Sequence, residues 1–243
     1  MPSPAELLRA TWSEMGRNRL TVLSYCAARA ALVALYFTLA LMLDPGEEGT
    51  RPAWLPAVAF ALELLVFAGM AALTAALFTL IGRELGKPLW KVESPMEGIR
   101  RFFMPWYLLF LITLLTARVA ILGVGTAGES AAWSMLLVGI PFLSALAIPV
   151  GAAVMFLGRF EWQELGEAMA PLIRQSGSVV MLTLIGSLVY FLLTAVGFAM
   201  PREQIAVHVV LDVIWAATDC LLFIGAWLVC QFDRDNPDTD FDF

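Results

Sequence analysis

The chain has 243 residues, of which 60% are apolar and 15% are charged, and its formal net charge is −6. Soluble domains are about 45–50% apolar and about 25% charged, so this composition excludes an ordinary soluble domain. The negative net charge, with no basic cluster, also argues against nucleic acid as a partner. The lipid bilayer is the partner that we expect.

The N-terminal segment, residues 1–19, is polar and amphipathic. Leu8, Trp12 and Met15 recur at the spacing of one helix face, which suits a helix lying at the membrane surface. The segment lacks the short apolar core of a secretion signal. We therefore expect an interfacial helix here, and we expect the first span itself to direct membrane insertion.

Six apolar segments follow, each long enough to cross a hydrocarbon core of about 30 Å as a helix. Continuous apolar runs predict helices, because the strands of a barrel would alternate with a period of two. The sequence thus predicts an all-α, polytopic membrane protein. The predicted spans cover residues 20–43, 53–82, 104–125, 131–158, 178–200 and 204–231, which together form a domain over 20–231.

The spans group into three similar units, each with a short amphipathic segment that leads into a pair of spans. Residues 94–103 and 162–177 repeat the amphipathic spacing of the N-terminal segment, and CAARAAL around Arg29 resembles TARVAIL around Arg118. We expect three hairpins, each preceded by a short cytoplasmic amphipathic helix. The alternatives are that these segments are only helical connectors, and that the three hairpins are not true repeats.

Positive residues predict the orientation of the chain. With the N-terminus inside, eleven lysines and arginines lie in cytoplasmic segments and two in outer loops, which is a strong positive-inside bias. We expect both termini in the cytoplasm and a bacterial-type inner membrane. The eleven are Arg9, Arg17, Arg19, Arg83, Lys87, Lys91, Arg100, Arg101, Arg159, Arg174 and Arg234; the two are Arg51 and Arg202.

The C-terminal residues 232–243 form an acidic cytoplasmic tail. We interpret it as a solvated end; the alternative is a docking peptide anchored by Phe241 and Phe243.

The three cysteines, Cys26, Cys220 and Cys230, all lie in predicted spans. We expect them to be small buried apolar groups there and not a disulfide framework.

Several ionisable residues lie inside the predicted spans. Such groups are costly at membrane depth, so they are candidates for a functional site. At about 100° per residue, His208, Asp212, Trp215 and Asp219 share one face of the sixth span. The candidate charge network consists of Arg29, Glu63, Arg118, His208, Asp212 and Asp219.

Depth along the helices predicts which of these groups meet. We expect Arg118 to contact Asp212, Arg29 to contact either Asp219 or Glu63, and His208 to hydrogen-bond to Asp212. Polar contacts between membrane helices contribute only about 1 kcal/mol each, so one interpretation is that the pairs hold the helices in register. The alternative is a proton or cation path that uses Asp212 and Asp219.

Catalytic and cofactor sites are not expected. One histidine cannot supply a bis-histidine haem site, and a structural zinc site needs four ligands. Asp212 and Asp219 lie roughly 10 Å apart along one helix, whereas an aspartyl dyad needs two carboxylates about 3 Å apart. No serine near His208 has a nucleophile-like context. We expect no enzyme activity, cofactor or metal.

Two prolines, Pro141 and Pro149, interrupt the fourth span. A proline removes a backbone donor and usually kinks a helix. The kinks either improve static packing or form a hinge beside a cavity.

Two functions remain open from the sequence. The first is a non-catalytic accessory or scaffold subunit of a membrane complex, which would bind other membrane-protein subunits or a second copy of itself. The second is a small transporter or channel that moves protons, cations or a small solute along the charged face of the sixth span. The first is the preferred prediction, because no substrate-binding feature appears beyond the buried charges.

Overall fold

The computed structural model describes residues 3–43, 54–86, 92–125, 128–158, 160–201 and 203–235, and within these ranges it contains helices and no strand. A π-helical segment, Met135–Gly139, joins α5 to α6, and a 3-10 turn, Trp162–Glu164, precedes α7. The α-helices are α1 (Pro4–Arg17), α2 (Arg19–Leu43), α3 (Leu55–Glu84), α4 (Pro95–Gly123), α5 (Glu129–Ser134), α6 (Ile140–Leu157), α7 (Leu165–Arg174), α8 (Ser176–Ala199) and α9 (Ile205–Asp235).

Six helical stretches in the described ranges are long and apolar enough to cross a membrane, with α5, the π segment and α6 forming one of them. The prediction of an all-α protein with six spans is thereby confirmed. The last span continues to Asp235, four residues beyond its predicted end at 231. The rest of the predicted acidic tail, from residue 236 onward, lies outside the described residues.

The structure corrects the second predicted amphipathic helix. Residues 94–103 do not form a separate helix, because α4 runs without a break from Pro95 to Gly123. α1 ends at the cap residue Asn18 and α7 at Gln175, whereas no equivalent break interrupts α4 near Phe103. Pro105 lies inside α4 and lacks a backbone donor, but it does not end the helix.

The fourth span is irregular where the sequence places its first proline. Ile140 donates its backbone N–H to the carbonyl of Met135, five residues earlier. This π-helical register directly precedes Pro141, which has no N–H to give. π-Helical bulges are rare and occur frequently at functional sites, so the side chains that follow this segment are relevant to the site.

α9 is the central helix, and it packs against α2, α6, α8, α1 and α7. We call the end of the bundle that carries α1 and α7 the α1 end, and the opposite end, which carries α5, the α5 end. The most closely packed core lies toward the α1 end, where Phe78, Phe223 and Trp227 are fully buried and their rings are in contact.

Glycine allows the closest approach in this core. An added Cβ at Gly82 would lie 2.7 Å from Cη2 of Trp227, and one at Gly151 would clash with the ring of Trp106. Small residues let membrane helices approach closely. The helices of the α1 half therefore pack closely at these two glycines.

Candidate functional site

Arg29 of α2 lies in the interior of the bundle with 6% of its surface exposed. Its Nη2 donates to Oδ1 of Asp212 at 2.9 Å and its Nε to the same oxygen at 3.2 Å. Its Nη1 donates to Oδ2 of Asp219. One guanidinium therefore binds two carboxylates of α9, a use of its planar, multi-donor geometry that lysine cannot reproduce.

Two tyrosines complete the shell of Asp219. The hydroxyl of Tyr190 donates to Oδ1, and the hydroxyl of Tyr25 donates to Oδ2 at 3.2 Å. Tyr25 also lies 3.2 Å from Oγ1 of Thr74. Buried charges need such partners, because an unpaired ion in an apolar medium is strongly disfavoured.

Neither tyrosine was identified from the sequence. Tyr25 precedes Arg29 by one helical turn, so the i, i+4 spacing places both on one face of α2. That spacing was an available signal for Tyr25. Tyr190 is on a different helix from its partner, and its pairing with Asp219 follows only from the packing of α8 on α9.

The second ion pair joins α3 to α4. Arg118 donates through Nε to Oε2 of Glu63 at 2.9 Å and through Nη2 to Oε1. The hydroxyl of Tyr36 donates to Oε1 of Glu63 at 3.3 Å. This pair lies nearer to the α5 end than the cluster around Arg29 does.

The predicted contact between Arg118 and Asp212 is therefore wrong. Glu63 lies eight residues after the start of α3 and Arg118 five residues before the end of α4, which are depths of about 12 Å and about 8 Å from the α5 end. Glu63 and Arg118 therefore meet across the antiparallel helices α3 and α4, and Asp212 is bound by Arg29 instead. Of the two partners suggested for Arg29, the structure has Asp219 and not Glu63.

His208 does not form the expected hydrogen bond to Asp212. Its Nε2 lies 3.2 Å from the carbonyl oxygen of Pro201, in the turn before α9. Its ring stacks on Phe37 of α2 with a centroid distance of 4.4 Å. His208 is consequently a rim residue at the α5 end and not a member of the buried ion cluster.

Two adjoining cavities connect these groups. The larger, of about 480 Å³, is bordered by His208, Glu63, Arg118 and Asp212. The smaller, which we call the inner cavity, has a volume of about 290 Å³ and is bordered by Asp212, Arg29, Asp219 and Ser144. Asp212 and Trp215 border both cavities, which together extend beside α9 from His208 to Asp219.

The charges that border the two cavities do not balance. Among the described lining residues, three are carboxylates and two are guanidinium groups, so at their formal charges these five groups sum to −1. Oδ2 of Asp212 is buried and has no hydrogen-bond partner within the described part of the chain. The lining carboxylates are Glu63, Asp212 and Asp219, and the guanidinium groups are those of Arg29 and Arg118.

The donor set is unlike that of a metal centre. Within the ranges that the structure describes, no three His, Cys, Asp or Glu side chains come together in a way that could hold a metal ion. Cys26 and Cys220 are buried thiols on the helices that carry Arg29 and Asp219.

No protein-family model, curated protein or solved structure matches this chain.

Proposed function

We propose that this protein is a small transporter that admits a positively charged solute along the charged face of α9. The observation that carries the proposal is the pair of adjoining cavities that share Asp212 and lead from His208 at the rim to Asp219. Ion pairs that only fix helix register need no such space around them. Ionisable groups inside a membrane bundle typically mark ion or substrate pathways.

The two ends of the bundle differ in the way that alternating access requires. The two cavities extend from His208 near the α5 end to Asp219. On the α1 side of Asp219, the aromatic core around Phe78, Phe223 and Trp227 fills the bundle. A transporter alternately exposes a site near the bilayer midplane to each side. We assign the described conformation to the state that is open at the α5 end.

The irregular fourth span supplies an element that could change shape. The π segment Met135–Gly139 and Pro141 precede Ser144 and Ile148, which border the inner cavity. Interrupted helices beside a midplane cavity are a recurring feature of transporters. This location favours the hinge interpretation of the prolines over a purely static kink.

We further propose that the six spans form three hairpins, α2–α3, α4–α6 and α8–α9. The interfacial helices α1 and α7 would precede the first and third hairpins. The α1 end would face the cytoplasm of a bacterial-type cell. Trp12 and Trp162 at this end are 67% and 68% exposed, as suits aromatic side chains at a membrane interface. The excess of arginine and lysine at the same end supports this orientation.

The accessory-subunit function and the absence of enzyme activity stay predictions. A stoichiometric partner recovered after mild detergent extraction would favour the accessory subunit. A pure monomer or homo-oligomer would favour the transporter.

Two-sided labelling of the inner cavity tests transport without knowledge of the substrate. Ser144→Cys places a thiol beside the inner cavity, and Ala145→Cys places one on the next residue, which is fully buried in the core. Each variant is treated with a membrane-impermeant thiol reagent in right-side-out and in inside-out vesicles. The expected result is labelling of Ser144→Cys from both sides and no labelling of Ala145→Cys.

Either of two results would contradict transport. Labelling of Ser144→Cys from one side only would indicate a static vestibule, which fits an accessory subunit. Labelling from neither side would mean that water does not reach the inner cavity.

A further inference from the structure

The walls of the larger cavity are aromatic as well as charged. Tyr36, Phe37, Phe67 and Trp215 border it. Trp215 also stacks on Tyr190 with a centroid distance of 4.2 Å, which fixes its ring between the two cavities. Aromatic faces attract cations, most strongly where water is excluded, and they recognise quaternary ammonium groups.

The formal excess of one negative charge beside the cavities favours a positively charged occupant. Arg29 and Arg118 neutralise two of the three carboxylates that border the cavities. Of the three described carboxylates that border the cavities, Asp212 is the one with a buried oxygen that has no hydrogen-bond partner, and it borders both cavities. Asp212 and Asp219 share one counter-ion, Arg29, so a cation beside the unpartnered oxygen of Asp212 would be stabilised.

We infer that the solute is a small organic cation, a protonated or quaternary amine with an apolar body. This inference rests on the proposed transport function and names its substrate class. The ammonium group would lie near Asp212 and the ring of Trp215. The apolar body would contact Phe37 and Phe67 in the larger cavity.

Size and ligand chemistry favour this class over the alternatives. A volume of about 480 Å³ falls within the roughly 300–1,000 Å³ of small-molecule sites. Hard inorganic cations take about six oxygen ligands, whereas most of this wall is apolar. An anion would meet the excess carboxylate, and a neutral solute would leave the charge imbalance in place.

Binding of a matched pair of probes tests the inference. The full chain in lipid nanodiscs is titrated by calorimetry with benzyltrimethylammonium and, separately, with benzenesulfonate, which has a similar ring but the opposite charge. We expect saturable binding of the cation and none of the anion. Asp212→Asn should weaken binding of the cation about tenfold or more, because it removes the excess charge.

One further variant is a control for Asp212→Asn, and another replaces Asp212→Asn if that variant does not fold. Glu203→Gln removes one exposed carboxylate at the same end of the bundle but does not border either cavity, so it should leave the affinity unchanged. If Asp212→Asn fails to fold, Trp215→Leu replaces it. That variant keeps every charge and should also weaken binding of the cation several-fold.

Equal binding of the two probes would overturn the inference, as would no binding of either. An affinity that falls as much in Glu203→Gln as in Asp212→Asn would also overturn it. These failures differ from a failure of transport itself, because labelling of Ser144→Cys requires no ligand. Two-sided labelling without cation binding would keep the transporter and reject the organic cation.

Discussion

Asp212 and Asp219 lie two turns apart on α9 and bind different edges of one guanidinium, that of Arg29. The two carboxylates therefore act as one unit with α2. This unit explains why α9 tolerates two acids within an apolar helix. It also leaves a formal excess of one negative charge beside the two cavities, which favours a cationic solute.

Loss of the guanidinium should destabilise the protein strongly. Arg29→Met leaves two buried carboxylates without a counter-ion, and breaking a buried pair in this way costs about 3–5 kcal/mol. Arg29→Lys keeps the charge but cannot bind both acids with the same geometry, so an intermediate loss is expected. Thermal unfolding in detergent measures both. Equal melting temperatures for the wild type and Arg29→Met would contradict the description of the cluster.

The pairing of α3 with α4 can be tested by charge exchange. Arg118→Glu places two carboxylates together at the position of the ion pair and should destabilise the protein by about 1–2 kcal/mol, the range of polar contacts between membrane helices. The double variant Glu63→Arg with Arg118→Glu restores an opposite-charge pair. A double-mutant cycle measures the coupling. A coupling free energy of zero would mean that these residues do not meet.

The contrast between these two pairs shows what the sequence could and could not predict. The six spans follow from apolar length, and the depth of each charge follows from the rise per residue. Depth alone does not say which helices are neighbours, so the sequence pairs Arg118 with Asp212, whereas the structure pairs it with Glu63 on the adjacent α3. The cavities are also beyond prediction from the sequence, because they depend on how side chains from several helices pack around Asp212.

The tyrosine hydroxyls around Asp219 should contribute measurably to stability. Tyr190→Phe removes a hydrogen bond to a buried carboxylate, for which a loss of about 1.5–3 kcal/mol is expected. Tyr107→Phe is the control, since Tyr107 stacks on Phe103 away from the cluster. The unfolding midpoints of Tyr190→Phe and Tyr107→Phe, each compared with the wild type, measure the two losses of stability. A larger loss in the control would reject the assigned role of Tyr190.

Close packing in the α1 half predicts a contrast between two glycines. Gly151→Ala adds a methyl group against the ring of Trp106, and overpacking of this kind costs about 1–3 kcal/mol. Gly166→Ala, in α7, places its methyl group in open space and should be neutral or stabilising by up to about 1 kcal/mol. Melting temperatures of the two variants provide the comparison. The reverse order would contradict the described core.

The most direct test of the central claim is whether water reaches the charged face of α9. Leu211 borders the larger cavity, and its neighbour Val210 is exposed on the outside of the bundle. Leu211→Cys and Val210→Cys are treated in nanodiscs with a cationic methanethiosulfonate reagent, with the unsubstituted chain as the blank. Fast labelling of Leu211→Cys and slow labelling of Val210→Cys are expected. Equal rates, or faster labelling of Val210→Cys, would contradict an aqueous cavity along this helix.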